Sequence, residues 1–567
     1  MKLTGLDLAF ERLVAPVPIW RARIAPGDWL SAAQTVAAAG GRLVALWGTD
    51  RTPAPGAGGA QPGAAGNDQC SLAVCAAYAT RDGMVWLDLM LDGAEPFVAD
   101  IAQIFPAAGR MQRALTDLTG VAVRGAADTR PWLDHGLWPG RWPLRQDRQT
   151  GSPAAASPSP AATASPSSRD THERAVPSSR AAPSGQTRAE NAGSLLPAPY
   201  PFVRVDGEGV HEVAVGPIHA GIIEPGHFRF SVVGEKVLRL EARLGYTHKG
   251  IEKRFTELPT LDAYRLAARL SGDSTVANSW AWCMALESAI GSTIPDRGQW
   301  LRALWLERER VANHLGDLGA LGNDAGLAFG LAQFSRLRED WQRLSAEILG
   351  HRLMMDCIVP GGVALDPPAR ALERVRAQCD AVEREVLFLR RIYDEHAGLQ
   401  DRFMGTGIVS PQLAAQLGLT GLAGRASGQA ADLRCDHPGV PWNQLNVTMA
   451  TRHEGDVGAR VDVRFDETVE SLRLIRELCV SMPAGVHRRT LTVPAREAFG
   501  AGWVEGWRGE IFVALELDAT GAIRRCHCHD PSWQNWPVVE HAAIGNIIAD
   551  FPLINKSFNL AYSGHDL

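Results

Sequence analysis

From Trp300 onward, apolar residues recur at near-helical spacing (Trp300, Leu304, Leu306, Val311, Leu315), with Glu307, Arg308, Glu309 and Arg310 set between them. That periodicity predicts an amphipathic helix through His314. Two more amphipathic helices are predicted, over Phe334 to Leu349 and over Pro367 to Ala397, the second long and charge-laced. Another starts at Asp456-Val457-Gly458-Ala459-Arg460 and runs through Leu478. Nearer the N terminus the pattern changes. Arg42 to Trp47 and Met84 to Met90 read as strands separated by a Gly/Pro/Ala-rich loop from Thr52 to Gly66, with a third strand over Ser71 to Thr80 and a helix over Met111 to Leu118. Val232 to Leu240 reads as a hairpin around Gly234-Glu235, and Tyr246 to Gly250 leads into a helical stretch that ends near Ser274. Ile511 to Leu517 is another strand, while Gly405-Thr406-Gly407 and Gly424 to Gly428 are loop signals.

Between the two patterned regions, Gly151 to about Leu196 is almost entirely Ser, Pro, Ala, Thr, Arg and Gly. Such a stretch has too little apolar surface to offset the entropy of ordering. The chain therefore divides into a small α/β domain (1–147), a disordered Ser/Pro/Ala linker (148–196) and a large, mostly helical domain with a small β portion (197–567), an α+β architecture overall. At 567 residues it is too long for a single ordinary core.

Composition narrows the function classes. A formal charge of −6 argues against nucleic acid as a partner. No signal peptide and no apolar run long enough to span a bilayer is found, so contact with a membrane would pass through partner subunits. Nine cysteines without regular spacing suit reduced thiols rather than a disulfide framework. No G-x-G-x-x-G fingerprint follows a strand.

The stretch from Gly216 to Asn278 carries a Gly216-Pro217-Ile218-His219 … Glu224-Pro225-Gly226-His227 loop, then His248-Lys249-Gly250-Ile251-Glu252-Lys253. It resembles the large subunit of the membrane-bound, complex I-related [NiFe] hydrogenases and, equally, the 49 kDa subunit of respiratory complex I. Gly424 to Gly428, Asp456 to Arg460 and Glu505 to Glu510 (EGWRGE) follow in that family's order. In the first domain, Phe105-Pro106-Ala107-Ala108, Met111-Gln112-Arg113, Asp117 to Val121 and Trp142 to Asp147 resemble the 30 kDa subunit of complex I, departing from it at Gln112, which lacks the acidic residue. The whole is similar to the fused large subunits of formate hydrogenlyase-type and hydrogenase-4-type complexes.

The hydrogenase members of this family hold nickel and iron through two Cys-x-x-Cys pairs, because such a centre needs soft thiolates. Here the first motif reads Arg269-Leu270-Ser271-Gly272-Asp273-Ser274 and the second Asp530-Pro531-Ser532-Trp533-Gln534-Asn535. A hydroxyl or an amide does not replace a bridging thiolate, so no metal is expected on the chain's own ligands. Cys526-His527-Cys528-His529 lies just upstream, but on a strand its thiols and imidazoles face opposite ways. A bland strand is favoured there over a zinc or iron site. The chain's last residues, Ser563 to Leu567, carry no recognisable maturation cleavage motif.

What the resemblance implies instead is a quinone-type pocket in the place of the metal site, where a His and a Tyr supply protons. His227 and, less directly, His219 stand in the loop that presents the histidine. The tyrosine position falls on Thr260, with Tyr264 one turn further on. The candidate lining is thus His219, His227, Thr260, Tyr264, Arg269, Ser271, Asp273, Ser274, Ser532 and Asn535. Against this stand two readings: His227 as a loop histidine satisfied by Glu224, and Arg269 as a structural ion pair rather than a group tuning a nearby cluster.

The expected role is that of a subunit in a membrane-associated, complex I-like electron-transfer complex. It would dock an iron–sulfur small subunit of the 20 kDa type with a [4Fe-4S] cluster, and sit on antiporter-like membrane subunits at the cytoplasmic face of the inner membrane. NAD enters only by family association. The alternative is a non-catalytic piece that couples an ion-translocating module to a partner. An active [NiFe] hydrogenase is the remaining reading, disfavoured by the absent thiolates.

Overall fold

The computed structural model describes residues 8–52, 72–91, 95–138, 140–145 and 199–567. The linker assigned to 148–196 and most of the Thr52–Gly66 loop lie outside the described residues. The remainder mixes helix and strand as the patterns predict.

In the N-terminal domain β1 (Ile19–Ile24), β2 (Arg42–Asp50), β3 (Leu72–Thr80) and β4 (Gly83–Leu91) form a sheet with the short strand Glu11–Arg12. The order is Glu11–Arg12, β1, β4, β3, β2, antiparallel except for the β1–β4 pair. Strand β1 was not anticipated from the pattern. Strand β3 is buried from Leu72 to Ala79, on both faces. One face joins a core with α1 (Trp29–Ala38) and α2 (Ala108–Thr119) through Val74, Ala76 and Tyr78. The other, through Cys75, Ala77 and Ala79, joins a core that continues into the large domain. That double coverage is why β3 reads as an unbroken apolar run instead of an alternation.

The two domains are therefore packed as one body. Polar contacts reinforce the apolar seam. Arg42 Nη2 donates to Glu510 Oε2 at 2.7 Å, Arg51 Nη2 to Glu516 Oε1 at 2.7 Å, Arg525 Nε to the Gly48 carbonyl at 2.9 Å and Arg110 Nη2 to Glu540 Oε1 at 2.7 Å. Cutting the chain at a protease site placed within 148–196 is expected to leave the two pieces together through size-exclusion chromatography at micromolar concentration. Separate elution of the pieces would sink the idea.

The large domain begins with β5 (Val210–Val215), β6 (His227–Val233) and β7 (Lys236–Arg243), an antiparallel sheet in the order β7, β6, β5 with its turn at Gly234-Glu235. Its helical centre is α5 (Thr275–Ile290), in which every residue but Ile290 is buried. A helix buried all round leaves no amphipathic stripe to read. Around it lie α6 (Asp296–Asp324), α7 (Ala328–Leu349), α8 (Ala369–Glu395) and α9 (Val457–Val480). A second antiparallel sheet, β8 (Ala498–Glu505), β9 (Glu510–Leu517) and β10 (Ile523–His529), lies directly on α5. A Cβ at Gly502 would stand 1.9 Å from the Ala281 carbonyl, so only glycine lets strand and helix meet so closely.

Three expectations change. The helical stretch towards Ser274 is broken into α3 (Ile251–Phe255), α4 (Tyr264–Ala267) and a single turn at Gly272–Ser274, with Pro259 interrupting between the first two. Gly424, Arg425 and Ala426, expected as loop, lie in a short helix, Gly421–Ala426. On α6 the charged quartet Glu307, Arg308, Glu309 and Arg310 is entirely buried rather than forming a polar face.

Candidate functional site

Asp273 and Arg508 form the centre around which the two cysteine-less motifs meet. Arg508 reaches from the turn between β8 and β9, its Nη1 donating to Asp273 Oδ1 at 3.1 Å and to Ser274 Oγ at 3.2 Å, while Nη2 pairs with Asp273 Oδ2. Trp507 Nε1 is shared between the Asp273 carbonyl at 2.9 Å and Ser274 Oγ at 3.1 Å. Ser271 Oγ donates to Asp273 Oδ1. Burial alone would raise the Asp273 pKa, but Arg508 outweighs it and holds the carboxyl below the usual range. Burial likewise opposes the Arg508 charge, and Asp273 reverses that.

In the second motif, Ser532 Oγ accepts from the Ala561 N–H at 2.9 Å, and Asn535 makes a reciprocal pair with the Thr420 backbone, both bonds 3.2 Å. Asp530 Oδ1 caps Ser532 N at 2.8 Å, while its Oδ2 is buried with no partner among the described residues. The 559–567 stretch ties the motifs together, because the Asn559 carbonyl accepts from Arg508 Nε and Gly564 abuts Asp530. The four positions at which the family resemblance implies thiolates, Ser271, Ser274, Ser532 and Asn535, hold three hydroxyls and an amide, each already spent on a protein hydrogen bond. Hard, neutral oxygen and nitrogen donors engaged in this way do not fit a nickel–iron thiolate centre.

The loop that carries the histidines contacts the same tail, through His219 against Tyr562 and Glu224 against Ser563. His227 Nδ1 lies 3.2 Å from the Gly216 carbonyl, its ring 5.1 Å from Phe202, and its Nε2 is buried without a partner among the described residues. Its pKa falls because burial outweighs that hydrogen bond. Glu224 bonds the Ser563 N–H at 3.0 Å. His219 packs against Phe228 and Tyr562 at 5.7 and 6.5 Å, and burial lowers its pKa too. Tyr562 links this group to the Ser532 side, since the backbone of Ala561 is bonded there.

Three candidates are not brought to this centre. Thr260 Oγ donates to the Gly521 carbonyl at 2.8 Å, at the turn between β9 and β10. Tyr264 Oη accepts from Arg265 Nε at 3.2 Å. Arg269 is nearly half exposed and makes a two-pronged pair with Asp356 at 2.7 and 2.8 Å.

Several groups were missed. Arg508 lies inside the EGWRGE motif, which the sequence offered as text without a role. Glu309 is buried, accepting from Val276 N at 2.6 Å and Ala277 N at 3.1 Å, and burial pushes its pKa up to about 8. On β10 the thiols and imidazoles do face opposite ways: Cys526 and Cys528 Sγ are 3.8 Å apart in the core, while His527 Nδ1 meets Glu252 Oε1 at 2.7 Å and stacks on Trp47 at 4.8 Å. Burial disfavours the Glu252 charge, yet Arg525 and His527 hold its carboxyl at about 2.

Comparison with known proteins gives the family. Residues 324–502 match the family model of the respiratory-chain NADH dehydrogenase 49 Kd subunit, and residues 22–154 that of its 30 Kd subunit. Formate hydrogenlyase subunit 5 of Escherichia coli is 28% identical over 481 residues, 84% of this chain and 78% of that one. A carbon monoxide-induced hydrogenase of Rhodospirillum rubrum is 30% identical over 354 residues, 62% of this chain and 97% of that one. An NADH-quinone oxidoreductase component (C/D) of Bacteroides thetaiotaomicron is 28% identical over 440 residues, covering 77% and 79%. A polypeptide in the structure of the membrane-bound sulfane sulfur reductase, an archaeal respiratory membrane complex, aligns with a TM-score of 0.60 at 25% identity, over 64% of this chain and 99% of that one.

Proposed function

The chain belongs to the family of complex I-related hydrogenase large subunits and 49 kDa-type subunits, here fused behind a 30 kDa-type domain, and from that we propose that it is a subunit of a complex I-like membrane respiratory complex that works without a nickel–iron centre. The observation that carries the reading is the donor set at Ser271, Ser274, Ser532 and Asn535, hydroxyls and an amide tied into protein hydrogen bonds. Electrons would arrive from a [4Fe-4S] cluster on a small iron–sulfur partner subunit and pass to a quinone-type acceptor. His227 and His219 are the groups offered to that acceptor, His227 with an unpartnered ring nitrogen to donate or accept.

Among the described residues no helix is long and apolar enough to cross a membrane. Membrane attachment would then run through partner subunits, at the cytoplasmic face.

A second reading, a non-catalytic piece that couples an ion-translocating module to a partner, is favoured by one observation. Thr260, the position the resemblance implies for the family's tyrosine, is spent on the Gly521 carbonyl, and Tyr264 accepts from Arg265. Binding of a quinone analogue to the purified complex separates the two. We expect saturable binding in the wild type, weakened about tenfold by His227→Ala, the loss of one hydrogen bond to a buried polar ligand. No binding in the wild type supports the coupling reading, and equal affinity in both proteins removes His227 from the site. Elemental analysis of the same preparation is expected to find iron without stoichiometric nickel, and nickel with hydrogen uptake would overturn the assignment.

A further inference from the structure

Glu309 is a buried acid with no cationic hydrogen-bond partner among the described residues. Both of its carboxylate oxygens are taken by N–H groups of the first turn of α5, Val276 and Ala277. These follow directly on the Ser271–Ser274 motif. One helical turn along α6, Asn313 Nδ2 donates to the Glu309 carbonyl at 2.9 Å and to the Asp273 carbonyl at 2.7 Å, which holds α6 against the Asp273–Arg508 centre. By contrast Glu307 and Glu467 are each bonded by arginine.

A small cavity lies against the same group. Its volume is about 10 Å³, room for one water molecule. Gly272, Asp273, Glu309, Asn313, Arg308 and Arg352 are among the residues that line it. Arg352 and Gly272 are exposed, so the cavity begins at the surface. Arg308 is fully buried, and its Nη1 has no hydrogen-bond partner among the described residues, a donor that a water in the cavity would satisfy.

We propose that Glu309 is a proton carrier between solvent and the Ser271–Asp273–Arg508 centre, with this cavity as its entrance. A proton from solvent, relayed by the water in the cavity, passes to a Glu309 carboxylate oxygen and from there to the Ser271–Asp273–Arg508 centre, which hands it on to the oxyanion formed on the acceptor. No electrons move through Glu309. The role in turnover rests on the quinone-type reading above, whereas the titration and solvent access of Glu309 do not. The charges that bear on it are Asp273 from the adjoining turn, which opposes its ionisation, and Arg310 on its own helix, which favours it. The neighbouring Cys357 thiol, from the 351–357 turn, is neutral because burial raises its pKa well above the ordinary value. Burial is the largest effect on Glu309 and places its titration at about 8, where a carrier works in both directions.

Infrared spectroscopy of the intact complex tests this. A protonated-carboxyl C=O band should be present at pH 6, disappear with a midpoint at about 8, shift within minutes of transfer to D₂O, and be missing from Glu309→Gln. A band that Glu309→Gln retains, a band that ionises with the ordinary carboxylates, or one that exchanges only over hours would overturn the proposal. Turnover gives the second arm. Glu309→Gln should bind the quinone analogue as the wild type does while reducing the acceptor about 100-fold more slowly, with Glu309→Asp recovering part of the rate. Unchanged turnover in Glu309→Gln would overturn it. If the wild type itself binds no analogue, the acceptor reading falls, and the infrared arm still decides whether Glu309 exchanges protons through the cavity.

Discussion

Replacing Arg425 with methionine is expected to destabilise the protein by about 3–5 kcal/mol, the cost of removing one partner from a buried charge network. Arg425 is fully buried on the short helix Gly421–Ala426. Its Nε donates to Glu467 Oε1 at 2.8 Å and its Nη1 to Glu505 Oε1 at 2.9 Å and to the Ala431 carbonyl at 2.9 Å. Glu467 also meets His314 at 2.9 Å. The charge of Glu505 is already disfavoured, first by burial and then by Asp432, so its carboxyl titrates well above the usual range. Without the guanidinium, Glu505 takes up a proton, but Glu467 keeps its charge in a medium that solvates it poorly. Adding Glu467→Gln to Arg425→Met should therefore recover part of the loss, because it removes a charge left with only the more distant Arg310, at 3.8 Å, as a cationic partner. Denaturant midpoints of the three proteins read this out, and a single variant within about 0.5 kcal/mol of the wild type would refute the network's role.

Arg508→Met is the second large effect, at about 2–3 kcal/mol. It lies below the range for a fully buried pair because about a third of the Asp273 side chain reaches solvent, which screens the charge that is left. The variant also takes donors from Ser274 Oγ and from the Asn559 carbonyl. Its signature is the pH dependence. Asp273 has a folded pKa depressed below its unfolded value, so its pair contributes stability that is present above about pH 4 and is lost as pH falls through the folded pKa. The stability difference between wild type and Arg508→Met should accordingly shrink on acidification from pH 6 to pH 3. A difference that stays constant over that interval would mean that packing of the long side chain, rather than the ion pair, stabilises the centre.

Much of the fold was legible because it is written in local patterns. The Gly234-Glu235 hairpin and the helices α7, α8 and α9 follow from turn chemistry and periodicity within one element. Strand β1, helix α5 and the break at Pro259 were less so. A helix buried all round has no stripe, and a strand that pairs in parallel with one 65 residues later has no neighbouring turn to announce it. Of the candidate site, the composition of the two motifs was plain from the chain alone. The placement of Thr260, Tyr264 and Arg269 was not, since each is decided by a partner elsewhere: the Gly521 carbonyl, Arg265 and Asp356.

By itself, then, the sequence determined the donor chemistry at Ser271, Ser274, Ser532 and Asn535, because the hardness of a ligand atom belongs to the residue and not to its surroundings. Only the tertiary structure decided what the charges of Glu307 to Arg310 are for. Along the chain they look like the polar face of a helix. In the fold, Glu307 meets Arg434 at 3.0 Å across 127 residues, and Glu309 lies against the N–H groups that open α5. Burial and the partner that makes it bearable come from distant segments, so whether a carboxylate ends as a solvated surface group, an ion pair or a proton carrier is settled by packing.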